Sequence, residues 1–248
     1  MGRWSRPLAK RFVRWLGASP DLDWLDVGCG TGALASAVCD IANPASVLAC
    51  DPSVPFVEHL RRRLPDPRVS AVVAGAEDLP RRPGGFGGIV SGLVLNFLPD
   101  PRYAVEQMRA RTRTGGVVAA YVWDYAGRME LLRAFWDEAC AADPGAREMD
   151  EGRRFSICRA EPLESIFREA GLAHVATGAV EIPTRFESFG EYWRPFQGGT
   201  GPAPSYVASL SPEGRARLRE RLERRLVRRA DGAIDLVARA WAVRGIAV

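Results

Sequence analysis

Lysine is almost absent from this chain. Lys10 is the only one, every other basic residue is arginine, and a reaction built on paired lysines is excluded. Histidine is nearly as scarce, with His59 in a charged helical segment and His174 near a strand start. The five cysteines (Cys29, Cys39, Cys50, Cys140 and Cys158) show no Cys-x-x-Cys spacing and no obvious pair. That argues against a disulfide framework or a zinc site, fits reduced thiols in a cytoplasmic protein, and leaves no metal expected. No run of about 18 uncharged apolar residues exists, so no membrane span is expected. The basic N-terminus has no apolar stretch of signal-peptide type. Internal repeats and low-complexity tracts are missing as well.

What the chain does have is a glycine-rich octapeptide. Residues 25–32 read Leu-Asp-Val-Gly-Cys-Gly-Thr-Gly, after the apolar run Leu22–Val27 and before the helix-like spacing of Ala33, Leu34, Ala35, Ala37 and Val38. The glycines therefore fall on a strand-to-helix turn, where backbone N–H groups can approach a ligand closely. Gly28, Gly30 and Ala33 satisfy the dinucleotide pattern G-x-G-x-x-A, with Asp51 at the right distance for a ribose. Asp26, two residues before the first glycine, would repel a pyrophosphate. It suits a ligand with a positive amino group, and S-adenosylmethionine carries an ammonium and a sulfonium but no phosphate.

Strand and helix patterns alternate along the chain. Helices are expected near 3–17, 31–42, 53–64, 127–142 and 161–170, with strands near 22–27, 46–51, 69–74, 88–94, 116–123, 173–183 and 233–243. A further helix opens at Asp100 and Pro101 and closes at Gly115. Ser53 reads as the cap of the helix at 53–64. At 248 residues and 47% hydrophobic, one α/β domain with a doubly covered, mostly parallel sheet is the expectation. Its parts would be an N-terminal lid helix at 1–20, a core sheet at 21–184 and 231–248, and a helical cap at 185–230.

With these segments in order, the chain resembles the class I S-adenosylmethionine-dependent methyltransferases, specifically the small Methyltransf_11 (UbiE-like) type. Val47-Leu48-Ala49-Cys50-Asp51 resembles the family's second strand, whose terminal acid binds the ribose hydroxyls. Ala76-Glu77-Asp78-Leu79-Pro80 resembles the segment beside the adenine, VSGLVLNFLPDP at 90–101 the fourth strand and its helix, and Thr114–Val118 the entry to strand five. The resemblance implies a Rossmann-like fold of seven strands, the last antiparallel. It implies S-adenosylmethionine held by Arg6, Asp26, Gly28, Cys29, Gly30, Gly32, Asp51, Pro52, Ala76, Glu77, Asp78 and Leu93. The chain departs from the family at Gly75 and Gly87, where acids are common. It also opens at Met1, where relatives have a Tyr-containing segment, which implies a shortened lid or a late start.

On the acceptor side, the carboxyl ends of the strands bring forward Asn96, Phe97 and Trp123. Tyr192 and Trp193, with Phe196 and the glycines at 198–201, read as a hinged aromatic lid, against a static core cluster. Methyl transfer from a sulfonium needs mainly alignment. A base is required only for a protonated acceptor, and Asp124, Tyr125 and His174 are the weak candidates, none in a diagnostic motif. Ser91-Gly92-Leu93 replaces an Asn-Pro-Pro-Tyr-like motif, and no Pro-Cys or Thr-Cys nucleophile is present. The sequence thus favours a small-molecule O-, N- or C-acceptor for a monomer or homodimer. The alternatives are RNA, met by the eight arginines among Leu218, Leu222 and Leu226 in 215–229, and a non-catalytic donor-binding scaffold.

Overall fold

The computed structural model describes residues 2–198 and 200–248. Met1, from the expected lid helix, and Gly199, from the expected hinge, lie outside the described residues. The elements in chain order are α1 (Gly2–Leu16), β1 (Asp23–Val27), α2 (Ala33–Ile41), β2 (Ser46–Asp51), α3 (Val54–Arg63), β3 (Val69–Val73), β4 (Phe86–Gly92), α4 (Pro101–Arg111), β5 (Thr112–Trp123) and α5 (Glu130–Ala142). They continue as α6 (Glu151–Arg154), α7 (Ala160–Glu169), β6 (Ala173–Phe186), α8 (Phe189–Trp193), α9 (Pro202–Ser209), α10 (Pro212–Arg225) and β7 (Ile234–Ile246). Three 3-10 turns, at Leu95–Phe97, Pro144–Glu148 and Arg194–Phe196, complete the set.

The seven strands form one sheet in the order β3-β2-β1-β4-β5-β7-β6. β3, β2, β1, β4 and β5 pair in parallel, as expected of strands joined by helices. β7 runs the other way: the Gly115 amide donates to the Ala247 carbonyl at one end of β5, and the Asp124 amide to the Arg239 carbonyl at the other. Strand order reverses between β1 and β4, so the carboxyl ends there form the crevice in which such sheets bind ligands.

A helix end and a helix cap differ from the sequence expectation. The helix opened by Asp100, whose Oδ1 accepts the Tyr103 amide at 2.8 Å, ends at Arg111 and not at Gly115. β-branched Thr112 and Thr114 favour strand, and Thr112 pairs with Phe86 of β4. Gly115 (φ 76°) consequently lies inside β5. Ser53 does precede α3, but its hydroxyl makes no capping bond; Asp51 Oδ1 instead accepts the Ser53 amide at 2.9 Å.

The chain divides into two compact units. One comprises residues 2–122, 159–180 and 241–248. There α1 packs on α2, and its Leu8, Phe12 and Leu16, spaced four apart on one helical face, are fully buried. The Phe12 ring centroid lies 4.6 Å from that of Tyr121. The other unit comprises residues 123–158 and 181–240, and its core is aromatic. Phe135 stacks on Phe196 at 4.4 Å, Trp136 meets Tyr206 at 5.8 Å, and Phe189, Tyr192 and Trp193 continue the cluster.

α10 lies in the second unit and docks on α5, with Leu218 and Leu222 buried. Its arginines meet carboxylates: Arg221 reaches Glu138 at 2.9 Å, and Arg225 reaches Asp137 at 2.6 Å and Glu138 at 3.2 Å. Just beyond the helix, Arg228 pairs with Glu223 and Arg229 with Asp235. Much of the charge that sequence alone assigns to a basic face is neutralised within the fold.

Candidate active site

The octapeptide forms the turn from β1 into α2, and its glycines hold backbone that other residues avoid. Gly28, Gly30 and Gly32 have φ of 71°, 50° and 86°. A Cβ on Gly28 would sit 2.5 Å from Val94 Cγ2, so the loop there is pressed against the residue following β4. A Cβ on Gly30 would meet nothing within 4 Å. Gly30 thus presents its backbone to open space at the carboxyl end of the sheet, as a ligand cradle requires.

Two carboxylates stand behind this loop. Asp51 closes β2, is 7% exposed, and accepts the Gly30 amide through Oδ2 at 2.9 Å while holding Ser53 through Oδ1. An ionised carboxylate offers about four lone-pair sites, so capacity remains for ligand hydroxyls. Asp26, on β1, is 1% exposed, and neither of its oxygens makes a hydrogen bond of good geometry, the Ala35 amide being its one nearby donor. Burial pushes its pKa up to about 7; the Ala35 amide pulls the other way, and the Asp51 charge adds to the rise. A buried carboxylate with both oxygens unmatched is costly unless a donor or cation completes it.

This has a measurable consequence for the ligand-free protein. The folded state holds a proton on Asp26 where the unfolded chain, with its ordinary value of 3.8, has released it. The stabilising difference is full below about pH 4 and is lost as pH rises through about 7. Asp26→Asn, which cannot ionise, is therefore expected to gain in melting temperature over the native protein between pH 5 and pH 8. A gap that stays constant with pH would contradict the assignment.

The other residues expected to hold the donor differ in burial. Cys29 is buried beside Asp26, Asp51 and Cys50, and desolvation first, then those acids, raises its thiol pKa far above the usual range. Pro52 is exposed, Ala76 buried, and Glu77 and Asp78 exposed. A Cβ at Gly75 would fall 2.7 Å from Glu77 Oε2, so in this chain the Glu77 carboxylate lies against the position where the family carries an acid. Leu93 has φ of 63°, an unusual strain for a leucine, and its amide donates to the Tyr121 carbonyl at 2.8 Å. Arg6 is exposed on α1.

Sequence reasoning missed the residues that shape this rim from beneath. Ser91 is fully buried and donates to the Val27 carbonyl at 3.0 Å, tying β4 to β1 at the switch point. A Cβ on Gly92 would meet the Tyr121 hydroxyl at 2.5 Å, so Gly92 leaves room for that ring. The signal was the small pair Ser91-Gly92 ending an apolar run.

Past β4, Asn96 is buried and its Nδ2 has no hydrogen-bond partner, while adjacent Phe97 is 63% exposed. In the second unit Trp123 is buried at the end of β5. The three suggested bases fare poorly. Asp124 accepts from the Gly127 and Arg128 amides and pairs with Arg239 at 2.6 Å, so its lone pairs are committed. Tyr125 is buried against Phe155, and desolvation first, then Cys158 and Glu151, drives its phenol pKa up. His174 lies at the wrong end of the sheet. Its neighbours Leu172 and Val175 flank Gly245, close to Ala247, which bonds the amino-terminal end of β5.

Tyr192 and Trp193 are both buried. Tyr192 is fully buried and donates to the Leu131 carbonyl at 3.0 Å, and Trp193 is 4% exposed between Phe189 and Phe196. Among the described residues no His, Cys, Asp or Glu cluster has metal-ligand geometry, and no helix is long and apolar enough to cross a membrane.

Residues 25–120 match the family model of the methyltransferase domain, Methyltransf_11. An uncharacterized protein of a Synechococcus species is 28% identical over 155 residues, which cover 60% of this chain and 36% of that protein. The match thus spans little more than a third of that relative's length. Among solved structures, a Bacillus halodurans C-125 protein assigned to the methyltransferases is 14% identical, with a TM-score of 0.62 over 96% of this chain and 97% of its own. A Haemonchus contortus phosphoethanolamine N-methyltransferase, solved with phosphomonomethylethanolamine and S-adenosylhomocysteine, is likewise 14% identical, with a TM-score of 0.59 over 96% of this chain and 52% of its own. These structural likenesses show a shared fold.

Proposed function

We propose that this chain, which carries a class I S-adenosylmethionine-dependent methyltransferase domain, methylates a small molecule with an apolar or aromatic body. The observation that carries the reading is the pair after β4: a buried Asn96 amide with no partner beside a largely exposed Phe97 ring. An unmatched donor next to apolar surface suits an acceptor that brings one polar atom and one apolar face.

S-adenosylmethionine supplies a methyl group on a sulfonium, an excellent leaving group. The chain's own residues bind and orient. Asp26 offers a carboxylate to the ammonium, Asp51 offers lone pairs to the ribose hydroxyls, and Gly28, Gly30 and Gly32 let backbone approach the ligand. Ala76, Asp78 and Leu93 wall the adenine side, and Glu77 takes the role of the acid absent at position 75. An ammonium beside Asp26 favours its ionised form, so donor affinity rises as pH passes upward through about 7.

An arginine-rich helix whose charges meet Asp137 and Glu138 gives RNA little to hold. The test is a panel of small-molecule and RNA acceptors, read by mass spectrometry for the gain of one methylene. Asn96→Ala is expected to raise acceptor KM about three- to tenfold, the worth of one hydrogen bond, while donor affinity stays put. Methylation of RNA alone, or an unchanged KM, would overturn the reading.

A further inference from the structure

Opposite the glycine loop, at the amino-terminal ends of β4 and β5, arginines gather with one carboxylate, Asp23, paired to them. A cleft of about 160 Å³ is lined by Arg81, Arg82, Gly85, Ala110 and Arg111. A second of about 280 Å³ includes Arg113 and Arg244 together with apolar Leu16, Leu22, Val117 and Ile246. No acidic residue lines either cleft. The two approach each other because Gly85 lies directly against Arg113: a Cβ there would be 2.7 Å from the Arg113 amide nitrogen.

The partners of these arginines set this face apart from α10. Arg111 spends Nε on the Leu79 carbonyl at 2.9 Å and Nη1 on Gln107 at 3.1 Å. Arg244 gives Nη1 to the Leu16 carbonyl at 2.8 Å. Neutral acceptors orient a guanidinium without cancelling its charge. Arg81 and Arg113 form no ion pair or side-chain hydrogen bond among the described residues, and only Arg82 meets an acid, Asp23 at 2.8 Å. Like charges held together repel, and an anion relieves that cost. A planar guanidinium fork matches a phosphate oxygen pair better than it matches chloride.

We propose that these clefts form a second ligand site, separate from the methyl-donor loop, for a phosphorylated small molecule. Its phosphate sits among Arg81, Arg82 and Arg111, and its organic body lies toward the apolar walls beyond Arg113.

The probes are inorganic phosphate and pyrophosphate, titrated by calorimetry at constant ionic strength with chloride as the balancing salt. Saturable binding of at least one is expected. Arg81→Glu and Arg113→Glu remove no ion pair or side-chain hydrogen bond, and each is expected to weaken binding at least tenfold while S-adenosylhomocysteine binding, which reports the fold, is unchanged. An absence of saturable phosphate binding would sink the proposal. So would native affinity in both variants, or binding confined to RNA with a steep salt dependence.

Discussion

Asp51→Ala is expected to lower S-adenosylhomocysteine affinity about 100-fold or more while leaving the circular dichroism spectrum native. The side chain is nearly buried, holds the Gly30 and Ser53 amides, and keeps lone pairs toward the proposed ribose position. Two hydrogen bonds to a charged group contribute about 1.5–3 kcal/mol each, and 1.4 kcal/mol is tenfold in affinity. Gly30→Val is expected to match that loss for a different reason. At φ 50° a branched residue is strained, and its side chain projects into the open space where the ligand approaches. Isothermal titration calorimetry decides both; near-native affinity in either variant means that the loop does not hold the donor as described.

Trp193→Ala is expected to produce the largest loss of stability, a fall in melting temperature of about 6–20 °C. Truncating a buried aromatic costs about 3–5 kcal/mol, and each kcal/mol moves a chain of this size by about 2–4 °C. Trp193 is 4% exposed, with Phe189 stacked at 6.5 Å and Phe196 at 5.8 Å. Donor affinity of the protein that remains folded should not move. Differential scanning calorimetry at fixed pH provides the measurement. An unchanged melting temperature with a raised acceptor KM would return Trp193 to the acceptor pocket and revive the lid.

These three variants separate what was legible in the chain from what was not. The glycine loop could be read because its information is local. A strand, a turn that only glycines tolerate, and a helix start all fall within Leu25–Leu34, and the acid ending the next strand lies a short step on. The apolar periods also located the seven strands within a few residues. The early end of the helix opened by Asp100 was hidden, because Thr112 and Thr114 become strand through pairing with a distant segment.

Side-chain partnerships were hidden for the same reason. Tyr192 and Trp193 beside a run of glycines carry the same letters whether they close over a ligand or fill a core, and only the structure shows them buried beside Phe186 and Phe196. Asp124 was one of three weak candidates for a base, and nothing near it in the chain announces its bond to Arg239, 115 residues away. For α10 the letters left an RNA surface as an alternative to a solvated face, and only the structure shows Arg221 and Arg225 against Asp137 and Glu138. By itself the sequence determined the class of fold, the glycine turn from β1 to α2 and the position of Asp26 and Asp51 on their strands, because backbone conformation and hydrophobic period are written in neighbouring residues. Only the tertiary structure decided which charges are spent, which rings are buried and which polar atoms are left without partners, because those depend on contacts between residues far apart in the chain.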